Sequence, residues 1–476
     1  MQHAADLQTL LEQADSLRTL ARMLGAACLD VEGDIADAIA AGDVRELDQL
    51  TAAIAALDAQ AWADAEPAAG GSFADLLADP IVKRWVENLA VEPPLQLLGW
   101  LRGMCASVLA AWYAGTRGRI ELERGDVFPI PVRPITGVID DPTPFPPTLA
   151  VGHLLDKHPT FRIWQRSSTS RIRCVIDYSV GFELDQATWD GNAAGGRFHR
   201  LASIHPYADE NDLRVNTVNP DWWFDVAPSR WDGNALLAAL KRSAEYARGA
   251  VITELALPDP DQLTDEIYAH RRELPDLIIA GSAHAHHPGA GPRGADVRTN
   301  ETVVYLDGTE VARHRKIHPY AAKYLGSGHV FSTPRPEGIT PERKTLSVLS
   351  GQLTRLGSVI CADLNDVEVP QLLVELGVNL LLVPAVSPRD GAFNGAAAQV
   401  ASQCQGVTLI ANGAPLIDPR RPPSRPAFQV LAGVPRAAPQ QQTHEELPGA
   451  SLGRRAIGIF DPNQRLRQAL RWLPFA

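Results

Sequence analysis

Several marks of common protein classes are missing from this sequence. It has five cysteines in 476 residues, Cys28, Cys105, Cys174, Cys361 and Cys404, odd in number and scattered. That argues against a disulfide framework, and the lack of a Cys-x-x-Cys pair argues against a thiolate zinc site. Free thiols fit a reducing cytosol, so a cytoplasmic location is expected. The longest apolar runs, such as Gly377 to Val386, are too short to span a bilayer, so no membrane is expected. The start, Met1-Gln2-His3-Ala4-Ala5-Asp6, has no basic region leading into an apolar core and does not read as a secretory signal. No block of like charge occurs, and the formal net charge is −12. A nucleic-acid surface is therefore not expected.

What is present is enough apolar residue, 45%, for substantial cores, in a length that suits one large or two to three ordinary domains. Residues 1–126 are rich in Ala and Leu. Leu7, Leu10, Leu11, Leu17, Leu20 and Leu24 fall on one helical face, Gly70-Gly71-Ser72 interrupts the pattern, and Pro93-Pro94 marks a further helix start. This part reads as a helical bundle of unknown role. Residues 127–150 hold seven prolines between Pro129 and Pro147 and read as an extended linker or strap. Residues 151–212 read as a small β-rich extension, because Arg171–Tyr178 and Arg200–Ile204 alternate in the manner of strands.

From 213 to 476 the pattern turns to alternating strands and helices, which predicts an α/β layered domain. Strands are expected at Leu213–Val218, Ala250–Leu255 and Leu277–Gly281, and an amphipathic helix at Asn234–Arg248. Glu301–Leu306 and Val311–Lys316 flank a tight Asp307-Gly308 turn and read as a hairpin. Pro415–Pro448, rich in Pro, Arg and Gln, reads as a long surface loop. A strand at Leu452–Phe460 and a terminal helix at Asn463–Trp472 complete the pattern.

Three residues at the ends of β-like runs supply the parts for acyl transfer from a carbon–nitrogen substrate: a carboxylate at Glu254, an amine at Lys316 and a thiol at Cys361. Each has a plainer reading. A buried cysteine is usually a small apolar side chain, a strand often carries one surface carboxylate, and a lysine in a basic run is usually solvated. At a strand-to-helix junction, however, a helix N-terminus favours a thiolate, and the Ala362 N–H could serve a developing oxyanion. Apolar neighbours would bury Glu254, and burial raises a carboxylate pKa toward that of a useful base. Strand alternation sends Arg315 to the other face and leaves Lys316 for the site. Cys404 reads as structural. His284, His286 and His287 could share a metal but read more simply as a solvated loop, so no metal is expected. Trp222-Trp223 reads as core or interface.

The stretch from about 213 to 462 resembles the nitrilase superfamily, the carbon–nitrogen hydrolases. The resemblance is carried by Glu254-Leu255, by Arg315-Lys316-Ile317-His318, by Ile360-Cys361-Ala362-Asp363-Leu364 followed by Glu368, and by the apolar runs Gly377–Ala385 and Gly406–Asn412. It implies a four-layer α-β-β-α sandwich, here preceded by the N-terminal helical domain. It also implies a Glu254–Lys316–Cys361 triad that hydrolyses a non-peptide amide or nitrile without a cofactor, and a homodimer or larger homo-oligomer. Asp363 and Glu368 would hold the loop around the nucleophile. The chain departs from the family pattern in having Ala362 and Asn365 where an aromatic residue and an arginine are usual. It also has no glutamate after Lys316 until Glu337, which lies late, so the second glutamate of the family site is read as missing. The rival reading is a catalytically impaired binding or scaffold module whose N-terminal helices engage a protein partner. A Cys-His protease would leave the glutamate and lysine segments unexplained.

Overall fold

The computed structural model of the chain describes residues 23–28, 118–122, 127–131, 161–165, 170–188, 200–207, 213–218, 221–226, 231–325, 329–340, 344–351, 354–387, 391–404, 406–413, 428–433, 443–446, 455–462 and 470–475. Of the expected helical bundle, residues 23–28 are helical, with Leu24 and Cys28 buried. The rest of that expectation, up to residue 117, lies outside the described residues.

The strands run in chain order as β1 (Arg119–Leu122), β2 (Val127–Pro131), β3 (Phe161–Gln165), β4 (Arg173–Asp177), β5 (Leu201–His205), β6 (Leu213–Val218) and β7 (Asp221–Val226). They continue as β8 (Gly249–Ile252), β9 (Leu277–Ile279), β10 (Ala283–His287), β11 (Val297–Leu306), β12 (Thr309–Arg315), β13 (Ala321–Leu325) and β14 (His329–Pro336). The last are β15 (Thr345–Ser350), β16 (Arg355–Ser358), β17 (Leu380–Val386), β18 (Val407–Gly413), β19 (Phe428–Gly433), β20 (Thr443–Glu446), β21 (Ala456–Phe460) and β22 (Leu470–Pro474). Helices α1 (Gly181–Thr188), α2 (Gly233–Ala244), α3 (Thr264–His270), α4 (Glu368–Glu375) and α5 (Gly391–Gln403) accompany them.

Two mixed sheets form the centre. One has the order β1-β4-β15-β16-β17-β18-β19-β20; the other runs β10-β11-β9-β8-β5-β21-β22, with β12 on the free side of β11. Strands buried on both faces carry unbroken apolar runs, as Leu380–Val386 in β17 and Gly249–Ile252 in β8 do. Val251, Leu277 and Ile279 of the second sheet meet Leu356, Leu380, Leu382 and Leu409 of the first in one intersheet core. Ala202, Ile204, Ala250, Ile252 and Ile278 face the other way and pack with Leu236, Ala239 and Leu240 of α2 and Ile267 of α3. Helix α5 lies against β18 and β19, with α4 beside it. The layers are therefore helix, sheet, sheet, helix, as expected.

The sandwich begins earlier than residue 213. Strand β1, placed by composition in the helical bundle, edges the first sheet, and β4 pairs in parallel with β15. Strand β5 lies between β8 and β21 in the second sheet. So β4 and β5 are not a separate small extension but strands of the following domain, in opposite sheets, a separation that strand alternation cannot reveal. Part of the proline strap is itself a strand, since β2 pairs with β3 in a separate ribbon. Inside the expected Pro415–Pro448 loop, β19 and β20 extend the first sheet, with Val430 and Ala432 buried. The polar flanks dominate the composition there and mask the short apolar run Phe428–Gly433. The expected terminal helix is, from Leu470, the edge strand β22 paired with β21; helix and strand periods are ambiguous over so short a run.

Removing residues 1–212 would take away β1, β4 and β5 and open both sheets. The shortened chain is expected in the insoluble fraction, whereas the full chain should melt cooperatively. A soluble chain from Leu213 onward with a cooperative thermal transition would contradict this topology.

Candidate active site

The site lies where strands of the two sheets end. Strand β8 delivers Thr253 and Glu254, and the chain then turns through Leu255 at φ 56°. Gly281 underlies this turn at φ 77°; a Cβ there would stand 2.6 Å from the Thr253 carbonyl oxygen, so only glycine fits. Strand β12 ends at Arg315, and Lys316 follows, its N–H donating to the Asn300 carbonyl of β11 at 2.8 Å. Strand β16 ends at Ser358 and leads to Cys361 at φ 42°. The pairing of β16 with β17 stops at Ser358 and Leu382, while β17 continues to Val386. The Cys361 turn occupies this opening, a place where α/β sheets commonly bind ligands.

The three side chains named from the sequence come together. Glu254, Lys316 and Cys361 are 2%, 4% and 2% exposed. The Lys316 ammonium donates to Glu254 Oε1 at 2.7 Å. Glu254 Oε2 accepts the Val386 N–H at 3.0 Å, and the Cys361 Sγ donates to the Val386 carbonyl at 3.6 Å. The Glu254 carboxylate stands near enough to the Cys361 thiol to oppose its ionisation. Arg315 points away, as alternation predicted, and pairs at 3.0 Å with Glu301.

The same Lys316 ammonium donates at 2.7 Å to Glu337 Oε2. The expectation of a missing second glutamate is thus corrected: Glu337 is buried in the site. Its Oε1 accepts from His284 Nε2 at 2.7 Å and from Asn300 Nδ2 at 2.9 Å, and its Oε2 also accepts the Tyr320 N–H at 3.0 Å. The hairpin β13–β14 explains the late position. It leaves after Tyr320 and returns at Glu337, whose N–H donates to the Tyr320 carbonyl at 2.8 Å, so an inserted excursion closes on itself at the site. Gly326-Ser327-Gly328 between two β-like runs was the available signal.

Burial opposes charge on all of these groups, and their mutual contacts decide the outcome. Burial alone would weaken the Lys316 ammonium, but Glu254 and Glu337 outweigh it and hold the amine well above its ordinary range. Burial alone would favour protonated Glu337, but Lys316 and His284 reverse this and keep its carboxyl well below the usual range. The Cys361 thiol goes the other way. Burial, then the Glu254 carboxylate, pushes it well above the ordinary thiol value, against the opposite pull of Lys316. The expected thiolate-favouring helix end is in fact a five-residue 3-10 turn, Cys361–Asn365. Burial therefore favours the neutral form of this thiol.

Asp363 holds the loop, as the resemblance implied. Its Oδ1 accepts the N–H groups of Ile317 and His318 at 2.8 and 2.9 Å, and its Oδ2 accepts from the Ile360 N–H at 3.0 Å and His314 Nε2 at 2.9 Å. One buried carboxylate therefore ties the lysine segment to the cysteine segment. Glu368 opens α4 and accepts from Ser170 Oγ, which fastens that helix to the approach of β4 rather than to the nucleophile. Ala362 follows Cys361 in the 3-10 turn, whose first N–H groups have no acceptor within the turn. Cys404 is buried at the end of α5, donating to the Val374 carbonyl at 3.4 Å. His284, His286 and His287 lie on β10 rather than on a loop, and His287 contacts Glu301 at 3.0 Å. Among the described residues no three His, Cys, Asp or Glu side chains are placed to hold a metal, and no helix is long and apolar enough to cross a membrane. Trp223 is half-buried on β7, with the Arg298 guanidinium 4.0 Å from its ring centre.

No protein-family model matches the chain, and no curated protein matches it. Among solved structures it is similar to nitrilase-superfamily proteins over somewhat more than half its length. One is the amidase of Nesterenkonia sp. AN1, in a mutant with the acetamide moiety of fluoroacetamide added covalently at its active-site cysteine. The identity is 14%, covering 58% of this chain and 90% of that one, with a TM-score of 0.35. Another is Nit3 of Saccharomyces cerevisiae, a member of branch 10 of the superfamily, at 14% identity, covering 56% of this chain and 91% of that one, with a TM-score of 0.34.

Two outcomes follow from this geometry. Asp363→Ala would strand several buried donors, so a loss of about 3 kcal/mol or more in denaturant unfolding is expected; a loss near zero would refute the clamp. Because the folded value of Glu337 lies below its unfolded one, the unfolded chain binds more protons in acid. Its stabilisation is present above the unfolded value and fades as pH falls through about 4 and lower. Thermal midpoints of Glu337→Gln should therefore fall less steeply than those of the native chain between about pH 5 and pH 3; parallel curves would contradict the pairing.

Proposed function

We propose that the protein is a thiol-dependent hydrolase of a small amide or nitrile, of the nitrilase type. The observation that carries this is the buried contact set of Glu254, Lys316, Glu337 and Cys361. Glu254 takes the thiol proton as the sulfur attacks the substrate carbon. The Lys316 ammonium and the Ala362 N–H stabilise the charge that collects on the substrate oxygen or nitrogen. For an amide, Glu254 returns the proton to the departing nitrogen, and ammonia or an amine leaves a thioester on Cys361. Glu254 then takes a proton from water, the hydroxyl attacks the thioester, and the acid and the free thiol are released. Glu337, with four donors on its carboxylate, is suited to holding Lys316 rather than to moving protons. A thiol only 2% exposed suits a small substrate better than a polypeptide chain. The rival scaffold reading relied on a missing second glutamate, and Glu337 removes that support.

Ammonia release across a panel of small amides and nitriles tests the proposal. Cys361→Ala should abolish turnover of any substrate found, and Glu254→Gln or Lys316→Met should lower it on the order of a hundredfold or more. Turnover retained by Cys361→Ala would end the acyl-enzyme mechanism.

A further inference from the structure

Asn300 was absent from the sequence-level site, yet it touches more of it than any residue outside the proposed machinery. It lies on β11 opposite His284 of β10 and is wholly buried. Its carbonyl accepts the Lys316 backbone N–H, and its carboxamide nitrogen donates to Glu254 Oε1 at 3.0 Å and to Glu337 Oε1 at 2.9 Å. The amide nitrogen is thus the atom that stands between the two carboxylates, donating one hydrogen to each. With Lys316 Nζ it closes a ring in which two donors, one charged and one neutral, bridge the same pair of carboxylates.

We propose that Asn300 is a positioning residue that orients Glu254 toward Cys361 while adding no charge to the site. This rests on the reading of Glu254 as the base. Glu254 Oε1 is occupied by Lys316 and Asn300, whereas Oε2 accepts the Val386 N–H beside the thiol and keeps a lone pair for the thiol proton. A cation in place of Asn300 would add a positive charge beside these groups, and a carboxylate a further negative one. Among the described residues the buried amide oxygen Oδ1 meets no hydrogen-bond donor. That is an unfavourable arrangement which leucine, of similar volume, would avoid if packing alone were required. The charged and titratable groups around Asn300 are Glu254, Glu337, Lys316, His284 and, through Glu254, Cys361.

The test is the rate of iodoacetamide alkylation at Cys361 in the full chain, mapped by peptide mass spectrometry from pH 6 to pH 10. Native chain and Asn300→Leu, Asn300→Asp and Glu254→Gln variants are compared, with thermal melts to check folding. Asn300→Leu should react about tenfold or more slowly at neutral pH, because the base loses its alignment. Asn300→Asp, which is isosteric, should move the midpoint of the pH–rate curve upward by about one unit, because a further carboxylate opposes thiolate formation. If Asn300→Leu does not fold, Asn300→Asp decides alone. A native pH–rate curve in a folded Asn300→Asp variant overturns the proposal, even if Glu254→Gln slows alkylation and leaves the base intact as a reading. A Cys361 that reacts no faster in the native chain than in Glu254→Gln overturns the base itself, and the role of Asn300 with it.

Discussion

The site is organised around one buried cation. An ammonium taken out of water is strongly disfavoured unless charge and hydrogen bonds compensate it. Lys316 receives both, from Glu254 and Glu337 at 2.7 Å each. Those carboxylates are buried in turn and draw on Asn300, His284 and the N–H groups of Tyr320 and Val386. The lysine therefore dictates where strands β8, β11 and β17 and the foot of the β13–β14 hairpin can stand relative to one another. The Cys361 thiol beside this group is held well above its ordinary value by burial and by Glu254.

The sheets make room for this group by stopping early. Strand β16 leaves β17 at Leu382, and the chain reverses through Cys361 at positive φ. Leu255 turns at positive φ just after Glu254. Non-glycine residues in that region are strained by about 1–3 kcal/mol each, and such strain persists only where the surroundings fix it. Here Asp363 fixes the cysteine turn through Ile360, Ile317 and His318, while Ser282 Oγ accepts the Leu255 N–H at 3.1 Å. Glu254 and Cys361 thus stand on two stiff turns that reach the site from different sheets.

Local chemistry was legible where a residue broke its own pattern. A glutamate closing an apolar strand, a lysine after an Asp-Gly hairpin and a cysteine between an apolar run and a turn could each be read from a few neighbours. Glu337 could not, because the β13–β14 hairpin separates it from Lys316 in sequence and only pairing across the hairpin foot brings it back. Asn300 lay just before the expected Glu301–Leu306 strand and nothing local singled it out; its place between two carboxylates comes from distant segments. The sheet membership of β4 and β5 was equally hidden, since alternation identifies a strand but not its partner, while β19 and β22 were read as loop and helix.

The sequence by itself determined many of the periodic elements, the apolar runs that must be buried on both faces, and Glu254, Lys316 and Cys361 as the candidate side chains. Those follow from local preferences and from side-chain chemistry, which act over a few residues. The tertiary structure alone decided the ionisation of the site. The raised Cys361 thiol and Lys316 ammonium and the lowered Glu337 carboxyl follow from burial and from charged groups that lie tens of residues away in the chain. No window of sequence contains those distances, because they exist only once the two sheets have closed on each other.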